Sequence, residues 1–152
     1  MRRAYIVAIV AGVALFLVIS ALLARVFSAN SAEQSAITGL VQSEARGDTN
    51  AIVGEVTGCR TDAACRHRAA TNAAALQHAG SVSIIQLQPS TSFSLGGTEG
   101  TARVAWNVGS YPLPIVQCVR VRRAGNPISG LKVELLVVSP RIASDADCPA
   151  RF

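Results

Sequence analysis

Twenty-one consecutive residues, Ala4 to Ala24, carry no charge, and Arg2, Arg3 and Arg25 bracket them. At the helical rise of roughly 1.5 Å per residue the run spans about 31 Å, the thickness of a bilayer's hydrocarbon core. It is longer than the core of a cleaved signal peptide, about 7–15 residues, and no Ala-x-Ala site follows it. Ala29-Asn30-Ser31 is only a weak imitation of one. The expectation is therefore an uncleaved signal-anchor over residues 1–27, crossing the membrane once. Arg2 and Arg3 place its start in the cytoplasm by the positive-inside rule, and Arg25 can snorkel to the outer interface. Everything downstream then lies on the extracytoplasmic side of a cell membrane.

That assignment changes the meaning of the charge. The chain is +5 overall, but with the three flanking arginines set aside 11 basic residues face 9 acidic ones, a net of +2. Such a surface has no footprint for a polyanion, so no nucleic-acid partner is expected. Lys132 stands against thirteen arginines, which reads as coding bias.

Beyond the anchor, Ser28 to Ser31 is expected to form a short linker, followed by a domain over 32–142 and a tail over 143–152. Ser31-Ala-Glu33-Gln34 has the form of a capping box. The helix after it shows Ile37, Leu40 and Val41 on one face and Gln42, Glu44 and Arg46 on the other, and Gly47 ends it. Asp48, Thr49 or Asn50 caps a short helix over 51–56. Thr61 or Asp62 caps a third, Ala63 to about His78, stopped by Gly80.

The pattern then switches to period two. Ser81 to Gln88 is strand-like, and Ser92 to Leu95 is a candidate continuation after Pro89. Gly96-Gly-Thr-Glu-Gly100 reads as a hairpin loop, and Thr101 to Val108 puts Ala102, Val104, Trp106 and Val108 on one face. Gly109 to Pro114 turns the chain. Ile115 to Arg123 follows, with Ile115, Val119 and Val121 inward and Cys118, Arg120 and Arg122 outward. A loop through Gly125, Asn126, Pro127 and Gly130 leads to Leu131–Val138, with Leu131, Val133, Leu135 and Val137 inward. Lys132 and Glu134 face out, where Glu134 can pair with Arg120 or Arg122. The fold class is α+β: about three helices packed on a curved antiparallel sheet of about four strands, cone-like, behind a transmembrane helix.

The order anchor, helix, Ala45-Arg46-Gly47-Asp48 corner, two further helices and a meander of long strands resembles the nuclear transport factor two-like superfamily, also called SnoaL-like or ketosteroid-isomerase-like. The tract Tyr111-Pro-Leu-Pro-Ile-Val-Gln-Cys-Val-Arg-Val-Arg-Arg, with Gly130-Leu-Lys-Val-Glu-Leu-Leu and Cys148-Pro149, looks like small exported actinobacterial proteins with such a domain. The resemblance covers about residues 31–142. It implies a cone of helices against a bent sheet, and a homodimer paired through the sheets. That superfamily holds enzymes, ligand binders and assembly domains, so fold alone fixes no activity. Its enzymes set a carboxylate, His or Tyr inside the cone. Here Asp48 and Glu55 lie near a helix corner, and no motif carries a catalytic role onto them.

The cysteines offer the clearest chemistry. Cys59, Cys65, Cys118 and Cys148 all follow the anchor, an even count in an oxidising compartment, so two disulfides are expected. Three pairings are open; Cys59 with Cys65 and Cys118 with Cys148 are favoured, the second tying the tail to the sheet. Zinc at Cys59, Cys65 and His67 lacks a fourth ligand and the usual spacing. His67 and His78 fall about 16 Å apart on one helix and cannot share a metal. The 96–100 glycines lack a phosphate loop's lysine, so no cofactor is expected. Arg120, Arg122 and Arg123 are candidate contacts for anionic surfaces. Trp106, Tyr111, Asp48 and Glu55 are candidate pocket residues.

Three functions follow as expectations. The first is a non-enzymatic, membrane-anchored domain mediating protein association at the cell envelope, with a second copy or another envelope protein as partner. The second is a binder of a small apolar ligand in the cone. The third is an isomerase- or hydrolase-like enzyme, which requires a buried carboxylate facing a cavity.

Overall fold

The computed structural model describes residues 2–89, 99–109, 111–126 and 130–152. Three helices, α1 (Arg2–Arg46), α2 (Thr49–Glu55) and α3 (Ala63–Leu76), precede four strands, β1 (Val82–Gln88), β2 (Glu99–Val108), β3 (Ile115–Asn126) and β4 (Gly130–Val138). The strands form one antiparallel sheet in the order β1-β2-β3-β4. The fold class is α+β. The expected continuation over Ser92–Leu95, most of the 96–100 loop and the 127–129 loop lie outside the described residues. Gly125 and Asn126 extend β3, and Gly130 opens β4.

The expected linker is replaced by helix. Ser28 to Ser31 is helical, and the apolar run and the first domain helix are one 45-residue helix. No glycine or proline lies between Ala24 and Thr38, so the backbone ladder has no reason to break. Ser31 therefore caps nothing, and Glu33 turns into the domain instead. Side-chain placement along α1 is described at residues 6, 7, 9–23 and from 30 onward. Among the described residues no helix is long and apolar enough to cross a membrane. On α1, Ile6, Val7, Val10, Leu15, Phe16 and Leu22 are all more than half exposed.

Within the domain α1 packs along the sheet, antiparallel to β3. Arg123 near the end of β3 meets Glu33 (2.7 Å), while Gln117 near its start meets Glu44 (3.1 Å). The end of α1 is a Schellman turn. Gly47 adopts φ +71°, its N–H donates to the Glu44 carbonyl, and the Asp48 N–H donates to the Ser43 carbonyl. Asp48 then caps α2 at Ala51, and Asp62 caps α3 at Ala64. The third helix stops at Leu76, so His78 lies outside it, with its backbone N–H donating to the Ala45 carbonyl. The two histidines do not share a helix.

The core is Ile37, Leu40 and Val41 of α1, Ile52 of α2, Ala69, Ala73 and Leu76 of α3, and the inward row Ala102, Val104, Trp106 and Val108 of β2, each under 5 % exposed. Ile115, Val119 and Val121 of β3 complete it. On β4 the expected phase fails beyond Leu135. The register passes from Val121↔Leu135 to Arg120↔Val137, leaving Leu136 as an extra residue. The alternation flips there, so Val138 is buried and Val137 only half-buried. A second bulge at Ile85 leaves that side chain 56 % exposed on the edge strand.

The tail lies across the outer face of the sheet. Ile142 pairs with Val116, and Cys148 is bonded to Cys118. The other disulfide, Cys59–Cys65, closes the turn before α3.

Candidate functional site

The most concentrated chemistry is a buried polar cluster between α1, α3 and the sheet, centred on Glu44. The alternation around it predicts Glu44 on the outer face of its helix, and the structure corrects this: Glu44 is fully buried. Position 44 stands seven, four and three residues after Ile37, Leu40 and Val41. It therefore shares their face, whereas a 42/44/46 alternation is the period of a strand.

Glu44 Oε1 accepts from Asn72 Nδ2 (2.9 Å) and Gln117 Nε2 (3.1 Å). Both amides also donate to the Ser139 carbonyl at 3.1 Å. Trp106 Nε1–H donates to Gln117 Oε1 (2.9 Å), and Ser139 Oγ accepts from the Cys118 N–H (2.9 Å). One carboxylate thus joins α1, α3, β3, β2 and the start of the tail. Glu44 Oε2 has no hydrogen-bond partner among the described residues. Burial pushes the carboxyl up to about 7, against the two amide hydrogen bonds, which favour the charged form; the nearby Glu55 carboxylate adds to the rise.

Glu55 is half-buried. Its Oε1 accepts from Ser43 Oγ (2.9 Å), which in turn accepts from Arg46 Nη2 (3.1 Å). Burial raises its pKa, opposed by Ser43 and the Arg46 charge. Gly39 leaves room for it: a Cβ there would stand 3.7 Å from Glu55 Oε1.

The candidate pocket residues do not converge. Trp106 is 0 % exposed, part of the core with Val104 and Leu135. Asp48 is an exposed helix cap. Tyr111 stands just past the end of β2, its ring edge-to-face with His78 at 4.2 Å, under the Arg141 guanidinium. Beside His78, an open groove of about 740 Å³ runs past Arg46, Gln77 and Ser81. It lies on the surface and does not reach the Glu44 cluster.

The arginines expected at anionic surfaces are already engaged. Arg122 pairs with Glu99 (2.7 Å) and Glu134 (3.8 Å), the cross-strand partner expected from the sequence. Arg123 holds the fully buried Glu33 and donates to Asn30 Oδ1. Arg120 donates to the Ala150 carbonyl and lies over the Phe152 ring. Among the described residues no group of three or more His, Cys, Asp or Glu is placed to hold a metal ion.

Sequence reasoning missed Asn72, Gln117 and Ser139. The signal for Gln117 was present: it falls between Ile115 and Val119 on the inward parity of β3, so a polar side chain there requires buried partners. No family model, no curated protein and no solved structure matches this chain.

Proposed function

We propose that this chain is a non-enzymatic, membrane-anchored domain of the cell envelope, held on the extracytoplasmic side by the first half of α1 and serving protein association. The observation that carries the reading is the exposure of α1. Large apolar side chains from Ile6 to Leu23 stand 47–68 % exposed on every side of the helix, and among the described residues no element covers them. Leaving that surface in water is unfavourable by about 25 cal/mol per Å², and a bilayer removes it. Two disulfides fit the oxidising side of the membrane. A helix-backed antiparallel meander also fits the nuclear transport factor two-like frame, which belongs to this proposal.

The interior supports association over chemistry. Trp106, Val104 and Leu135 occupy the core where a small apolar ligand would sit, and the fully buried Glu44 carboxyl accepts from two amides. Homodimerisation through the outer sheet face requires the tail to move, because it lies over Val116 and Cys118. Edges or the membrane-distal end around His78 are open to a second protein.

The test is flotation of the full chain with lipid vesicles, followed by in-membrane crosslinking. The expected result is alkali-resistant membrane association and a crosslinked protein partner. Extraction by carbonate overturns the anchor; an anchored chain that crosslinks to nothing overturns the association role.

A further inference from the structure

The outer face of the sheet carries an arrangement that the association reading does not use. Arg103 of β2 is the direct cross-strand partner of Cys118 of β3, so both side chains leave the sheet on the same face. Cys118 is fully buried under the tail. Arg103 spends Nη2 on the Ser144 carbonyl, but its buried Nε–H has no acceptor among the described residues. A guanidinium N–H buried without a partner is costly and rare. Cys148, at the other end of the disulfide, is half-buried and lines an open cleft of about 500 Å³ with Thr101, Arg103, Gln88 and Asp147.

We infer that Cys118–Cys148 is an exchangeable disulfide, opened by a dithiol that enters the cleft and attacks Cys148, with Arg103 stabilising Cys118 as the leaving thiolate. In the first step the attacking thiolate forms a bond to Cys148 Sγ. The Cys118–Cys148 bond breaks and its electron pair leaves on Cys118 Sγ, on the face of the sheet that carries its cross-strand partner Arg103. In the second step the other thiol of the same reductant attacks its own first sulfur, closing its disulfide and releasing Cys148. The dithiol is oxidised by two electrons, the protein disulfide is reduced, and the dithiol's two protons pass to the cysteines or to solvent. Cys118 is fully buried and Cys148 only half-buried, so attack falls on Cys148 and the charge develops on Cys118, across the strands from the Arg103 cation.

Opening frees a strap. No residue from Pro140 to Phe152 is fully buried. Apart from the disulfide, the strap beyond Ile142 is held by exposed arginine contacts to the Ser144 and Ala150 carbonyls and by the Phe152 ring. None of this depends on where α1 resides.

The experiment uses the full oxidised chain in detergent micelles, treated with dithiothreitol, quenched by alkylation and mapped by mass spectrometry, with Cys59–Cys65 as internal reference. Cys118–Cys148 is expected to open at least tenfold faster than Cys59–Cys65, and glutathione is expected to be trapped on Cys148. Arg103→Gln should slow opening about tenfold, the effect of raising a leaving thiol's pKa by about two units at a Brønsted slope near one half; Arg103→Lys should retain most of the rate. A merely structural Arg103 gives the opposite sign, since losing the Ser144 contact loosens the strap and speeds opening. Equal rates for the two bonds, glutathione on Cys118, or an unchanged or faster Arg103→Gln each overturn the inference. If a variant unfolds, both of its bonds open together, and the wild-type rate ratio and adduct position then decide between exchange and a closed structural bond.

Discussion

Glu44 sets the pH behaviour of the domain. Its carboxyl titrates at about 7 when folded against 4.5 ordinarily, so between those values the folded state holds a proton that the unfolded chain has released. Stability from this group is fully present below 4.5 and declines as pH rises to about 7, by up to about 3 kcal/mol. Thermal melts from pH 4.5 to 8 should show this fall, and Glu44→Gln should flatten it, because the amide oxygen still accepts from Asn72 and Gln117. Gln117→Leu should be more damaging at every pH. It strands the Trp106 N–H and one acceptor position each on Glu44 and Ser139, for a loss of about 2–4 kcal/mol by denaturant titration. The inward row of β2 was readable from alternation, because each of its members is apolar. For Glu44 and Gln117 the phase marks an inward position, but not the partners that satisfy them, which for Glu44 lie 28 and 73 residues away.

Among the elements, the caps were legible and the breaks less so. Asp48, Asp62 and Gly47 act where the sequence places them. The β4 bulge had no local signal, since Leu136 and Val137 are both apolar and either phase buries something. The missed continuity of α1 has a similar cause: a Ser-x-x-Gln box marks a helix start only when the chain before it is not already helical. The Arg123–Glu33 pair ties α1 to the sheet at the end away from Glu44, with Glu33 completely buried. Arg123→Ala removes a cation from that buried carboxylate and should destabilise the domain by about 3 kcal/mol in urea titration. Arg122→Ala, on an exposed pair, should change stability by less than about 1 kcal/mol. Gly80 is the other fixed joint. It adopts φ +132°, and a Cβ there would come within 2.8 Å of the Gly109 Cα. Gly80→Ala should therefore cost about 2 kcal/mol or more and loosen the α3–β1 junction, read as faster hydrogen exchange in β1.

At the scale of the whole molecule, the two disulfides do unequal work. Cys59–Cys65 closes a six-residue separation, whereas Cys118–Cys148 closes thirty, which in the chain-entropy account is worth on the order of 3–4 kcal/mol. Cys118→Ser with Cys148→Ser should lower the melting temperature more than Cys59→Ser with Cys65→Ser. The α+β order, the disulfides and the tie of the tail to the sheet through Cys118–Cys148 were legible in the chain; the arginine contacts that also hold the strap were not, because they end on backbone carbonyls that carry no sequence signature.

The uninterrupted run of α1 from Arg2 to Arg46 makes the chain behave as a screw. Each residue inserted between Leu23 and Asn30 turns the domain about 100° around the helix axis and lifts it about 1.5 Å. A partner fixed in the same membrane would therefore lose and regain contact with helical period: one or two inserted alanines abolish crosslinking, and seven, close to two full turns, restore it. A jointed tether would give a smooth decline instead. The phase of the helix, more than its length, thus selects which side of the domain a neighbour meets.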